Sequence, residues 1–135
     1  SGITFVPSLF GVPVCRFNWV SIFNSLPPAN LFIPMLVTDQ AGELVSFRKQ
    51  WSLQEQGLVL YDGRTYEALG LKFQKNTAEE ITELVEEMLL RLDSNDWYDQ
   101  GASQEAFRKM MLDRGFYAPG LVGSKFYQKY GELFE

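Results

Sequence analysis

SGITFVPSLFGVPVCRFNW, Ser1 to Trp19, reads as a loop, a short helix and a strand in that order. Pro7 sets the geometry. A proline inside a helix is tolerated only in the first turn, where its missing N–H would have found no partner anyway. The helix therefore begins no earlier than Thr4. Gly11 closes it and Pro13 forbids its continuation, after which Val14 to Phe17 read as a short strand ending at Asn18. Ser1, Gly2 and Ile3 are left as a tight loop feeding a helix N-terminus. Free N–H groups and the positive end of the helix dipole favour a phosphate or carboxylate there, and Gly2 lets the backbone come close to it.

Working outward, two residues of the strand have two readings each. Arg16 alternates with Cys15 and Phe17. Its guanidinium suits a phosphate bidentately, and suits equally an acidic neighbour at the sheet edge. Asn18 and Trp19 are either a turn residue with a packing aromatic or contacts to a ligand in the crevice where open α/β sheets bind. The next stretch, NWVSIFNSLPPANLFIPMLV, is punctuated by Pro27, Pro28 and Asn30 and reads as a long, packed connection. Leu44 to Trp51 reads as partly extended, and Ser52 with Glu55 as a capping box for a one-turn helix that Gly57 ends. Tyr61-Asp62-Gly63 is a turn.

Leu71 to Gln74 is a second short strand, leading through Asn76 into a helix, the order of an α/β unit. Thr77 caps that helix and Glu80 reaches back, while Ile81, Leu84, Val85, Met88, Leu89 and Leu92 keep the helical spacing. Glu79, Glu80, Glu83, Glu86 and Glu87 form the other, solvated face, with Glu87 spaced to pair with Arg91. A metal or general-acid role is the sharper reading of these acids, and a solvated first turn is the ordinary one. Ser103 caps a further helix stopping at Gly115, and Lys125 to Phe134 is a last amphipathic helix with Phe126, Tyr127, Tyr130 and Phe134 as its aromatic stripe.

Composition bounds the function. The 135 residues are 46% hydrophobic and carry a net charge of −5 without a basic cluster, which speaks against nucleic acid and against a polybasic membrane anchor. No apolar run approaches the roughly 20 residues that cross a bilayer, and the candidate LFIPMLV is broken by Pro34. No signal peptide is expected. The lone Cys15 fits a reducing compartment and the role of a small core residue. With no histidine, a Ser-His triad, a Cys-His pair and a His-rich zinc site are excluded within the chain. No GxGxxG, Walker loop or CxxC pair occurs.

The segments SGITFVPSLFGVPVCRFNW, LFIPMLV, GELVSF, NTAEEITELVEEMLLRL and GSKFYQKY, in that order along nearly the whole chain, resemble the C-terminal part of a bacterial glycosyltransferase family of surface-polysaccharide synthesis. More loosely the chain resembles the donor half of GT-B enzymes, heptosyltransferases and sugar-nucleotide epimerases among them. Members often carry a Lys after the Ile-Pro, where this chain has Met35. The resemblance implies an α/β, partial Rossmann-like fold, the C-terminal half of a GT-B enzyme, with short parallel strands and C-terminal helices. It implies that residues 1–135 are the donor-binding portion of a longer enzyme whose N-terminal part is missing, in keeping with a start at Ser1 in the middle of a loop-helix-strand unit.

The function so implied is binding of a nucleotide sugar in a glycosyltransferase acting on a glycan or lipid-linked acceptor, in the cytoplasm or peripherally at the inner membrane, without a cofactor or metal. Ser1, Gly2 and Thr4 would hold the donor diphosphate, with Asn18 at the strand's C-terminal edge. The catalytic base would lie upstream, so the chain alone would be inactive. The aromatic stripe of the last helix would pack on the N-terminal domain or fold back on the core. A sugar-nucleotide epimerase of the same architecture and a non-catalytic interaction domain are the alternatives.

Overall fold

The computed structural model describes residues 5–20, 29–56, 63–97, 101–116 and 120–135. Their elements are helix α1 (Val6–Leu9), strand β1 (Val14–Trp19), β2 (Asn30–Pro34), β3 (Leu36–Thr38), α2 (Phe47–Glu55), α3 (Gly63–Ala68), β4 (Lys72–Gln74), α4 (Ala78–Ser94), α5 (Ala102–Leu112), β5 (Leu121–Val122) and α6 (Ser124–Tyr130), with a 3-10 turn over Gly131–Phe134. α1 and β1 follow the reading of Pro7 and Gly11. Pro7 sits in the first turn of α1, and Gly11 takes φ +70°, a conformation open to glycine at little cost.

The connection expected between residues 19 and 37 is instead the middle of the fold. β2 lies between β1 and β5, both parallel to it, and every residue of β2 is buried. Central parallel strands, covered on both faces, read as continuous apolar runs without alternation. Pro34 hid this strand, since proline cannot donate to a ladder. It is accommodated because it is the last residue of β2, opposite Trp19, where the register with β1 has already shifted.

The two faces of β2 are covered by different helices. On one side the Phe32 ring packs 5.5 Å from Phe107 of α5, which in turn meets Phe134, and Phe134 meets Phe47 of α2 at 4.7 Å. On the other side Ile33 and Leu84 of α4 close around Gly123, where an added Cβ would come within 2.9 Å of Ile33 and 2.8 Å of Leu84. β3 and β4 form a separate antiparallel pair. Among the described residues no helix is long and apolar enough to cross a membrane.

Three further expectations are corrected. Leu44 makes only an isolated bridge to Thr38, and the chain is helical from Phe47, because Ser46 Oγ accepts from the Lys49 N–H at 3.3 Å and starts α2 there. Ser52 therefore falls inside a helix and bonds back to the Lys49 carbonyl, while Glu55 accepts from Trp51 Nε1. α5 starts one residue before Ser103, with Gly101 at its N-cap and no side-chain cap. Gly63 opens α3 rather than ending a turn; Gly57, Tyr61 and Asp62 lie outside the described residues.

The helix read from Thr77 forms with both halves of its capping box. Its apolar spacing, however, divides. Leu84 and Met88 are buried, whereas Val85, Leu89 and Leu92 are exposed. The aromatic stripe folds back on the core: Phe126 and Phe134 are buried, with Tyr127 and Tyr130 packed against them. Gln104 of α5, fully buried, donates from Nε2 to the Val122 carbonyl at 2.6 Å and accepts from the Val122 N–H at 3.1 Å. Its amide thus stands where a further strand beside β5 would pair.

Candidate functional site

α1 packs beside the first two strands: its Ser8 hydroxyl meets Asn30 at the start of β2, and the Phe5 ring at its head lies against Arg16 of β1. Arg16, in the middle of β1, is buried at 5% exposure. Its guanidinium carbon lies 4.7 Å from the ring centroid of Phe5, at the head of α1, and 4.8 Å from that of Trp19, at the end of β1. Both rings face the cation at distances that stabilise it. Arg16 Nε donates to Asn30 Oδ1 at 3.2 Å, and the fully buried Asn30 exchanges hydrogen bonds with Ser8 Oγ of α1. Burial lowers the Arg16 pKa from its ordinary value, and the group remains a cation. Its described partners are the Phe5 and Trp19 rings and the Asn30 amide.

Asn18 sits one residue before the end of β1 in the left-handed conformation, φ 51°, which asparagine tolerates better than most residues. Its N–H donates to Asn76 Oδ1 at 2.6 Å, and the Asn76 N–H donates to Asn18 Oδ1 at 2.7 Å. Asn76 Nδ2 completes the set on the Pro34 carbonyl at 2.9 Å. The ends of β1 and β2 and the entry to α4 are thereby tied together. Sequence spacing gave no sign of this pairing, since the partners are 58 residues apart. Trp19 Nε1 is buried and bonded to no described acceptor. Ser1, Gly2 and Thr4 lie outside the described residues, immediately before Phe5 in the chain.

The acids of α4 divide: Glu79 and Glu86 are exposed, as a solvated face requires, while Glu80 and Glu87 are structural. Glu80 is buried, accepting from the Thr77 N–H, the Tyr130 hydroxyl at 2.8 Å and Lys129 Nζ at 3.2 Å. Burial alone would raise its pKa; the hydrogen bonds from Thr77, Tyr130 and Lys129, with the Lys129 charge, outweigh it and hold the carboxyl below the ordinary range. Glu87 pairs with Arg91 as its spacing predicts. It also accepts from the N–H and hydroxyl of Ser124 at 2.7 and 2.9 Å, capping α6. The cavity beside Glu80, lined by Ile33, Leu84, Gly123 and Phe126, is about 10 Å³, room for about one water and no substrate. Burial, then the Glu87 charge, pushes the Cys15 thiol up, so it stays protonated and unreactive.

β1 therefore carries a buried cation in its middle and a pair of amides bonded to each other at its end. The carboxylate at the entry to α4, Glu80, is taken up by Thr77, Tyr130 and Lys129. No group of three potential metal ligands occurs among the described residues. A second cleft, lined by Arg48, Trp51, Glu55, Asp113 and Arg114, sets two arginines against two carboxylates and selects neither sign.

No family model, no curated protein and no solved structure matches the chain. What stands is an α/β chain with a small parallel sheet of three strands.

Proposed function

We propose that the chain is the nucleotide-sugar-binding part of a Rossmann-like glycosyltransferase that passes a sugar to a glycan or lipid-linked acceptor. Arg16 carries this reading. A buried cation on a strand of a parallel sheet stands between Phe5 and Trp19, and Phe5 directly follows Ser1, Gly2 and Thr4 in the sequence. Glycosyl transfer needs positive or N–H groups to stabilise the departing nucleoside diphosphate, and a base to deprotonate the acceptor. Arg16 and the loop amides serve the first need. The second falls to a preceding domain, and the enzyme works on the cytoplasmic side, where nucleotide sugars are the donors.

Titration of UDP and GDP into the wild-type chain and into Arg16→Lys, Gly2→Val and Ser1→Ala tests the reading, with melting curves for each protein. A charged hydrogen bond is worth about 1.5–3 kcal/mol, so loss of the guanidinium fork weakens diphosphate binding by about tenfold or more. Gly2→Val, which blocks backbone approach, weakens it strongly, and Ser1→Ala modestly. Equal affinities in folded wild type and variants would remove this edge from the site.

A further inference from the structure

α4 carries an apolar face that nothing in the described chain covers. Val85, Leu89 and Leu92 are 41%, 61% and 47% exposed. Ala78, Val85 and Leu92 recur every seven residues, with Leu89 between the last two, so they form one stripe along a helix that spans about 25 Å. The opposite flank of the helix is occupied: Glu80, Glu83 and Glu87 bind Lys129, Lys125 and Ser124 of α6. The buried middle, Leu84 and Met88, rests on the sheet.

Beside the apolar stripe runs a second one. Glu79, Glu86 and Asp93 follow the same seven-residue interval one position on, and all three are exposed. None is in an ion pair with a described residue. Seven-residue repeats keep a seam facing a partner helix along its length, and charged rows beside a seam choose the partner. We infer that α4 docks a basic amphipathic helix of another polypeptide, its apolar side on Val85, Leu89 and Leu92 and its Lys or Arg row along Glu79, Glu86 and Asp93.

Charge decides among occupants. A second copy lying antiparallel would set one acidic row against the other, which is unfavourable. An anionic lipid surface would be repelled by the same row. A basic helix gains on both counts, since apolar burial supplies affinity and the acids supply steering and choice of partner.

The test uses a fluorescent synthetic helix of about 20 residues, with Leu on the apolar heptad positions and a flanking row of Lys, and its twin in which Glu replaces Lys. Anisotropy titrations against wild type are expected to favour the basic peptide by about tenfold or more. Val85→Ser with Leu89→Ser, both at exposed sites, abolishes that binding while melting curves stay close to wild type. Leu90→Ser, an exposed leucine off the stripe, leaves it unchanged. Glu86→Lys with Asp93→Lys inverts the preference toward the acidic peptide. Equal affinity for both peptides, or binding that survives the serine pair, overturns the proposal. Sedimentation showing a wild-type dimer that the serine pair dissociates assigns the face to a second copy and overturns it equally.

Discussion

The reciprocal amide pair at the end of β1 makes unequal demands on its two members. Asn18 is asked only to accept, from the Asn76 N–H at 2.7 Å, and to tolerate φ 51°. Asn76 is asked both to accept from the Asn18 N–H at 2.6 Å and to donate to the Pro34 carbonyl at 2.9 Å. Because a backbone N–H can only donate and a carbonyl only accept, the orientation of both side-chain amides is fixed. An aspartate can therefore replace Asn18, keeping the acceptor and the left-handed backbone, but it cannot replace Asn76, where a carboxylate would face the Pro34 carbonyl without a proton between them.

Each neutral hydrogen bond contributes about 0.5–1.5 kcal/mol, and a buried group left without a partner costs about 1–3 kcal/mol. Asn76 is buried at 8% exposure. Asn76→Ala, losing two bonds, should thus cost about 2–4 kcal/mol, and Asn76→Asp at neutral pH at least as much. Asn18→Asp should stay within about 1 kcal/mol of wild type, and Asn18→Ala should fall between, losing one bond and straining the backbone. Urea unfolding followed by far-UV circular dichroism measures all four. Equal destabilisation by the two aspartates would refute the asymmetric bonding described for this edge.

The Glu80 carboxyl, held below the ordinary range by its partners, contributes stability that is complete above the ordinary glutamate value and is lost as pH falls through its lowered folded-state value. Melting temperatures of wild type and Glu80→Gln should accordingly differ at neutral pH and converge in acid; a constant gap would argue against the linkage. Gln104→Ala strips both partners from Val122 and should cost about 2–4 kcal/mol, and Gln104→Glu at neutral pH at least as much, since its carboxylate would face the Val122 carbonyl without a proton, as denaturant midpoints would show. Phe32→Ala, at the meeting of β2 and α5, should cost about 3–5 kcal/mol; a loss under 1 kcal/mol, read in the same unfolding experiment, would mean that Phe32 and Phe107 do not share one core.

Local signals were legible where one residue type permits one geometry. Pro7 and Gly11 framed α1, and Thr77 with Glu80 marked the start of α4, because caps and helix breakers act over three or four residues. What was hidden was tertiary. β2 sets an asparagine before its apolar run and a proline after it, the grammar of a loop, and becomes a strand only because β1 and β5 flank it. β5, two residues long, has no period to detect. On α4 the apolar spacing named the right residues and the wrong burial, since the sheet and α6 cover only part of the helix and place Glu80 inside while Val85 and Leu89 stay out. Arg16 had two readings from its strand position, and its seat between the rings of Phe5 and Trp19 depends on a tertiary contact with the head of α1. The Asn18–Asn76 pair depends on loops brought together from distant parts of the chain.

Gln104 closes one margin of the sheet. By lending its amide to both polar groups of Val122, one side chain seals the β5 margin against any incoming polypeptide, native or misfolded. Accretion from the β5 side would first have to displace a glutamine that no solvent reaches.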